Sequence, residues 1–286
     1  MDTPLRTTSR PGPSRRCLVA ASVALLGAWA LTGCNDDDEA QALSDRPSVT
    51  FTATDTDLTV PAEVPAGFVD IVLETEPGDV GHHLVIARLN DGVTLDEALA
   101  GGDEAFFTMM TIKGGNGTIA AGEHVSMTLD LEAGNYFALD NPQLPDPVIS
   151  PFTVVGKPQG EAPDSEGTVR LGPGMVISVP DDFDATGTWE FVNVDPVEPH
   201  EAALVRLADG KSAADVATWG HEGFAGPPPF EGEFGSMGAL GPGQRAWITI
   251  DPGEPGEYAL ICFVPGRDGI PHLGQGMVTQ VRVERS

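Results

Sequence analysis

The chain has 286 residues, with 15 lysines and arginines against 43 aspartates and glutamates, a formal net charge of −28 at pH 7, and three cysteines. A surface of that sign repels phosphate backbones, which excludes nucleic acid as a partner, and it avoids anionic lipid except through a covalent anchor. Three cysteines are too few for a disulfide framework.

The N-terminus comes first in chain order. Arg6, Arg10, Arg15 and Arg16 precede the apolar run CLVAASVALLGAWALTG, which ends at Cys34. The run has the length of a signal segment and is shorter than the ~20 apolar residues a spanning helix needs. LTGC resembles the cleavage site of a bacterial lipoprotein signal. SRRCLV loosely resembles a twin-arginine export signal, with Leu18 where that pattern prefers phenylalanine. The lipoprotein resemblance implies removal of residues 1–33, diacylglycerol on Cys34, and a chain held by that anchor at the extracytoplasmic face of the cell membrane. Residues 34–47 are polar, acidic and free of aromatic side chains, and are expected to form a disordered tether. Cys17 leaves with the signal and Cys34 is lipidated, so Cys262 remains as one free thiol.

The rest of the chain repeats itself. HHLVIARLNDGVTLDEALA from His82 aligns with HEAALVRLADGKSAADVAT from His200. In each copy a hydroxyl residue, Thr94 or Ser212, stands three residues before an acid, Glu97 or Asp215, which predicts a capping box opening a short helix. AGFVDIVLE aligns with TGTWEFVNV, and GTIAAGEHVSMTLDLEAGNYFAL with GALGPGQRAWITIDPGEPGEYAL. The copies run from 48 to 157 and from 168 to 286, with residues 158–167 as a linker. Short alternating segments predict strands: SVTFTAT, FVDIVLE, VSMTLDL and NYFAL in the first copy, and MVISV, TWEFVNV, AWITI, EYALICF and MVTQVRV in the second. With 35 glycines and 25 prolines at the turns, the class is all-β, with two small sandwiches that each carry one inserted helix.

The C-terminal stretch CFVPGRDGIPHLGQGMV carries the chemistry. Tyr258, Leu260 and Cys262 share one face of their strand, as do Met277, Val281 and Val283 of the last strand, so both sulfurs point inward. The order Cys, His, Met between the last two strands resembles the ligand loop of the blue-copper cupredoxins, and HLGQGMV is close to its plastocyanin form. His200, after DPVEP, stands where that family places its first histidine. The resemblance implies two tandem cupredoxin-like Greek-key sandwiches and one type 1 copper in the second. Its ligands would be His200, Cys262, His272 and Met277. Two imidazoles and a thiolate with a weak thioether suit copper in both of its oxidation states. The sequence departs from the family in the nine residues between Cys262 and His272, which read as a surface excursion or as a displacement of His272. Opposite Cys262 the first copy has Asp140, and of the ligand set it keeps His82 alone, so it has no such site.

The expected function is a membrane-anchored copper lipoprotein for electron transfer or copper handling, with a redox protein as partner. A metal-free interaction module of the envelope is the alternative. No enzyme is expected, because the chain has six histidines, no H-x-H, and none of the common hydrolase or phosphate-binding motifs.

Overall fold

In the computed structural model, residues 46–101, 108–140 and 147–284 are described; the signal, Cys34 and nearly all of the tether lie outside them. The first copy forms β1 (Ser48–Thr54), β2 (Asp57–Thr59), β3 (Glu63–Thr75), β4 (Leu84–Leu89), α1 (Leu95–Ala100), β5 (Met110–Gly115), β6 (His124–Leu131), β7 (Gly134–Asp140) and β8 (Val148–Gln159). The second forms β9 (Thr168–Gly172), β10 (Val176–Ser178), β11 (Gly187–Asn193), β12 (His200–Leu207), α2 (Ala213–His221), β13 (Phe230–Leu240), β14 (Arg245–Ile250), β15 (Gly256–Ile261), a 3-10 turn (His272–Gln275) and β16 (Val278–Val283). Both helices open on the expected capping boxes, Thr94 with Glu97 and Ser212 with Asp215, which satisfy backbone N–H groups that a helix start leaves orphaned.

Strand pairing is shared by the two copies except that β3 also lies parallel to β8, a pairing with no counterpart between β11 and β16. In the first, β1 lies antiparallel to β2 and parallel to β3, β3 pairs with β6, and β4 lies between β5 and β7, which continues to β8. In the second, β9, β10, β11 and β14 repeat the former set and β13, β12, β15 and β16 the latter. Asp140 ends β7 and Cys262 directly follows β15, so the two residues occupy one place in one topology.

The copies are nevertheless not separate sandwiches. β6 pairs antiparallel with β14, and a twelve-stranded sheet runs through both halves. Met127 faces Ile248 in that pairing. Each stands at the same distance from a positive-φ glycine, Gly122 or Gly243, so a local two-fold relation passes through the pair. The reason is edge chemistry: without this contact β6 and β14 would each present a row of unpaired backbone groups. β5 and β13 close the seam further, with Gly117 N–H donating to Ser236 O at 3.1 Å and Gly241 N–H to Ile112 O at 2.9 Å. A Cβ at Gly238 would meet Asn116 O at 2.9 Å, so glycine permits this approach. Residues 43–286 form one compact unit, and one apolar cluster reaches from Phe51 to Val283. No helix among the described residues is long and apolar enough to cross a membrane.

β12 and β15 are buried on both faces. Leu204, Tyr258, Leu260, Cys262 and Met277 face the main core, while Ala203, Val205, Ala259 and Ile261 face a second cluster that α2 supplies with Val216 and the 3-10 turn with Leu273. This layering brings the end of β15, the start of β12 and the 3-10 turn together.

Candidate metal centre

His200 opens β12, Cys262 directly follows β15 and His272 opens the 3-10 turn, and all three are fully buried. One donor atom from each lies within 4.8 Å of the other two. His200 Nδ1 and His272 Nδ1 are 3.0 Å apart, and Cys262 Sγ is 3.4 Å from His272 Nδ1. Among the described residues this is the one group of three or more histidine, cysteine or acidic side chains arranged to hold a metal ion. Met277 follows the 3-10 turn and is fully buried in the same core cluster as Cys262.

The nine intervening residues do not displace His272. Pro265 and Pro271 form an antiparallel bridge, Gly266 N–H donates to Ile270 O at 2.9 Å, and Gly269 N–H turns back to Gly266 O. They are a small hairpin whose stem returns the chain to its start, where Leu273 N–H donates to Cys262 O at 2.8 Å and His272 N–H to Val264 O at 2.9 Å. Loop closure entropy grows slowly with length, and a hairpin that bonds to itself leaves the anchor points where a short loop would put them.

Each donor is held from behind. Asp195 Oδ2 lies 3.4 Å from His200 Nε2, close enough to attract the ring although outside hydrogen-bond geometry, and Nδ1 on the other side of the ring faces His272 Nδ1 at 3.0 Å. Glu201 N–H donates to Cys262 Sγ at 3.4 Å, and Glu201 Oε1 accepts from Phe263 N–H at 2.6 Å, tying the start of β12 to the end of β15. Over His272 lies α2. A Cβ at Gly220 would stand 2.0 Å from Leu273 Cδ1, and one at Gly274 would stand 2.7 Å from Gly220 C, so two glycines let the helix rest directly on the turn.

Burial sets the protonation of the group. It lowers His272 to about 4, with His200 adding to the effect, and it lowers His200 as well. Burial raises the Cys262 thiol well above its ordinary value, and the Glu201 carboxylate adds to this. Glu201 itself is raised to about 7 by burial. The pocket thus keeps two neutral imidazoles and a neutral thiol, and a thiolate becomes favourable there when a cation joins it. Two imidazole nitrogens and one sulfur, dry and convergent, match the donor set of a soft or borderline metal.

In the first copy the corresponding atoms make a different object. His82 Nδ1 and Asp140 Oδ2 are 2.6 Å apart and fully buried, and His83 N–H donates to Asp140 Oδ1 at 3.1 Å. His124 and His221 are exposed. Sequence reasoning missed Asp195, Glu201 and the pair Gly220 and Gly274. Glu201 had one signal, since it follows His200 as His83 follows His82.

No family model matches the chain, and no curated protein matches it. Among solved structures, it is similar to a dithionite-reduced auracyanin from Roseiflexus castenholzii at 24% identity, covering 42% of this chain and 96% of that one, with a TM-score of 0.29. It is similar to auracyanin A of Chloroflexus aurantiacus, a blue copper protein, at 14% identity over 38% of this chain and 99% of that one, with a TM-score of 0.26. It is also similar to the copper nitrite reductase of Nitrosomonas europaea at 13% identity over 83% of this chain and 93% of that one, with a TM-score of 0.24. These are likenesses of fold at low overlap, and the chemistry of the site is read from this chain's own donor atoms.

Proposed function

We propose that the protein is a cupredoxin-like copper carrier of the cell envelope, holding one copper ion in its second copy for electron transfer or copper handling. The observation that carries this reading is the buried convergence of one ring nitrogen each from His200 and His272 with Cys262 Sγ, all within 4.8 Å of one another. His200 and His272 would supply the imidazole ligands, Cys262 the thiolate, and Met277, just before β16, a weak thioether. Zinc finds its fourth donor in a further thiolate, imidazole, carboxylate or water, whereas a thioether beside two imidazoles and a thiolate suits copper. Copper in such a set supplies one-electron exchange. The chain's own part is to hold the ligands in place through Asp195, Glu201 and the hairpin, and to exclude water with α2.

On this reading the two halves are Greek-key sandwiches of one ancestral order, fused through β6 and β14, and the first is a copy whose site has become a histidine–aspartate pair. It also includes export and attachment through a lipid on Cys34 at the extracytoplasmic membrane face, and no enzymatic activity of its own. Metabolic labelling with a fatty acid tests the anchor: the wild-type chain takes up label, Cys34→Ser does not, and an unlabelled wild-type chain refutes it.

The copper reading is tested by equilibrium dialysis of the full chain with its thiol reduced. One copper per chain is expected, lost in Cys262→Ser and in His200→Ala. Equal copper uptake by wild type and both variants would refute it.

A further inference from the structure

His200, Cys262, His272 and Met277 are all shut off from water, so a metal ion reaches them only when a covering element moves. His272 is walled on two sides. On one, α2 rests on the 3-10 turn with Gly220 against Leu273, in an apolar cluster with Val205, Val216 and Ile261. Lifting the helix would wet those buried side chains, and each resists in proportion to its apolar area.

The other side is polar. Nδ1 of His272 is turned to His200 and the thiol, while Nε2, on the other edge of the ring, is buried with no hydrogen-bond partner. Besides burial and His200, three carboxylates act on this ring: Glu198 and Asp195 from the loop before β12, and Asp268 from the tip of the inserted hairpin. Arg267 joins the two segments, its Nε donating to Glu198 Oε1 at 3.1 Å. On the other flank Gln275 Nε2 donates to Asp268 Oδ1 at 3.1 Å and to Ile270 O at 3.0 Å. The Arg267 side chain is 75% exposed and Gln275 is exposed too, so water competes for these bonds and each is weak. The base of the hairpin is held differently, by the buried backbone bonds of His272 N–H to Val264 O and Leu273 N–H to Cys262 O. A tip held by exposed polar contacts opens at lower cost than the core beneath it.

We propose that hairpin 265–271 is the gate through which copper enters the centre, with Arg267 and Glu198 as its latch. The hairpin tilts about the Pro265–Pro271 bridge while the bonds at its base keep His272 and Cys262 in register. Release of Arg267 leaves Glu198, Asp195 and Asp268 at the opening, and their charge draws a cation inward. As copper enters, it gains bonds from two imidazole nitrogens and from sulfur. The Cys262 S–H bond breaks, its proton leaves to solvent, and no electron moves. This rests on the copper reading of the second copy and adds how that site is filled.

The test follows the thiolate–copper band by stopped flow after metal-free, thiol-reduced full chains are mixed with rising copper(II). It compares wild type, the double variant Arg267→Gln with Gln275→Ala, and Arg206→Gln. Arg206 pairs with Glu254 at 2.7 Å near the end of β12 opposite His200, so its loss removes the same charge away from the latch. A gated site fills at a rate that levels off as copper rises, because opening becomes limiting. The double variant is expected to raise that plateau about fivefold, as for loss of exposed polar contacts, with the final band and stoichiometry unchanged. Arg206→Gln is expected to keep the wild-type plateau. Hydrogen exchange of the metal-free chains gives a reading that needs no copper: the amides of Gly266, Gly269 and Ile270 are expected to exchange faster in the double variant, and those of α2 at the wild-type rate. A double variant with the wild-type plateau overturns the gate alone. So does a wild-type rate that stays proportional to copper throughout, or an exchange gain confined to α2. Absence of the band in the wild-type chain overturns the copper reading and this proposal together.

Discussion

His82 and Asp140 form a buried hydrogen bond, Nδ1 to Oδ2 at 2.6 Å, at the place where the second copy sets His200 beside Cys262. The backbone frame around both is shared: His83 N–H reaches Asp140 Oδ1 at 3.1 Å, and Glu201 N–H reaches Cys262 Sγ at 3.4 Å. One scaffold therefore holds two chemistries, decided at position 140 or 262 by an oxygen or a sulfur. Removing one partner of a buried polar pair leaves the other unsatisfied, at a cost of about 2–5 kcal/mol. Asp140→Ala is expected to lose stability in that range in urea unfolding while leaving copper binding in the second copy unchanged. A variant as stable as wild type would remove the structural role assigned to this pair.

The shared sheet makes a thermodynamic prediction. Ala246, Trp247 and Ile248 are buried where β14 meets β6, and Phe68 packs edge-on against Trp247 at 5.5 Å. The full chain is expected to unfold in one cooperative transition, with far-ultraviolet dichroism and tryptophan fluorescence coincident. Residues 168–286 expressed alone would present β14 as an open apolar edge and are expected to aggregate. Two resolved transitions, or a soluble monomeric second copy, would contradict the fused architecture.

Much of this was legible in the sequence because repetition supplied a check. The capping boxes, the alternating strands and the inward faces of Cys262 and Met277 follow from period and spacing. β4 and β12 did not read as strands because α1 and α2 cover their second faces; their burial is nearly continuous, and no alternation remains. β8 was hidden by Pro151 and Pro158, and β13 by its glycines. One alignment was two residues out. Thr75 N–H donates to Glu123 O as Asn193 N–H donates to Gln244 O, so Thr75, and not Leu73, corresponds to Asn193. An error of two preserves strand parity, which is why the buried faces still agreed. The hairpin within the nine-residue insertion could not be read, since its closure depends on backbone contacts between Pro265 and Pro271 that no residue type specifies.

Acid acts on the buried histidines of the metal-free protein in a defined window. Burial, with His200 adding to it, lowers His272 from 6.5 to about 4 in the fold. Between those values the unfolded chain takes up a proton that the folded chain refuses, so the contribution of His272 to stability is full above about 6.5 and falls as pH drops toward 4. His200 is shifted in the same direction. Glu201, raised from 4.5 to about 7 by burial, has the opposite sign and adds stability as pH falls through the same range. The histidine contribution is therefore read as a difference: between pH 7 and pH 4 the urea midpoint of His272→Gln is expected to fall less, or rise more, than that of wild type. A variant whose midpoint follows pH as wild type does would contradict the burial assigned to this ring.

The contact of α2 on the 3-10 turn predicts a remote effect on the centre. A side chain at Gly220 would collide with Leu273 Cδ1 and approach Gly274 N, neither of which can move without shifting His272. Gly220→Leu is expected to weaken copper binding by tenfold or more, or about 1.4 kcal/mol, while the chain stays folded by far-ultraviolet dichroism. Gly92, with open space around its Cβ position, provides a control in a turn of the first copy: Gly92→Asn, which tolerates positive φ, should leave binding unchanged. Wild-type affinity in Gly220→Leu would show that α2 does not set the position of His272.

The most direct measurement is the visible spectrum of the full-length chain, its thiol reduced, titrated with copper(II). Thiolate bonded to oxidised copper in the geometry proposed from His200, Cys262, His272 and Met277 predicts an intense charge-transfer band that saturates at one copper per chain. The band should be absent in Cys262→Ser and lost or strongly displaced in His272→Ala. A wild-type chain that shows no such band, or a His272→Ala chain with the wild-type spectrum, would contradict the account.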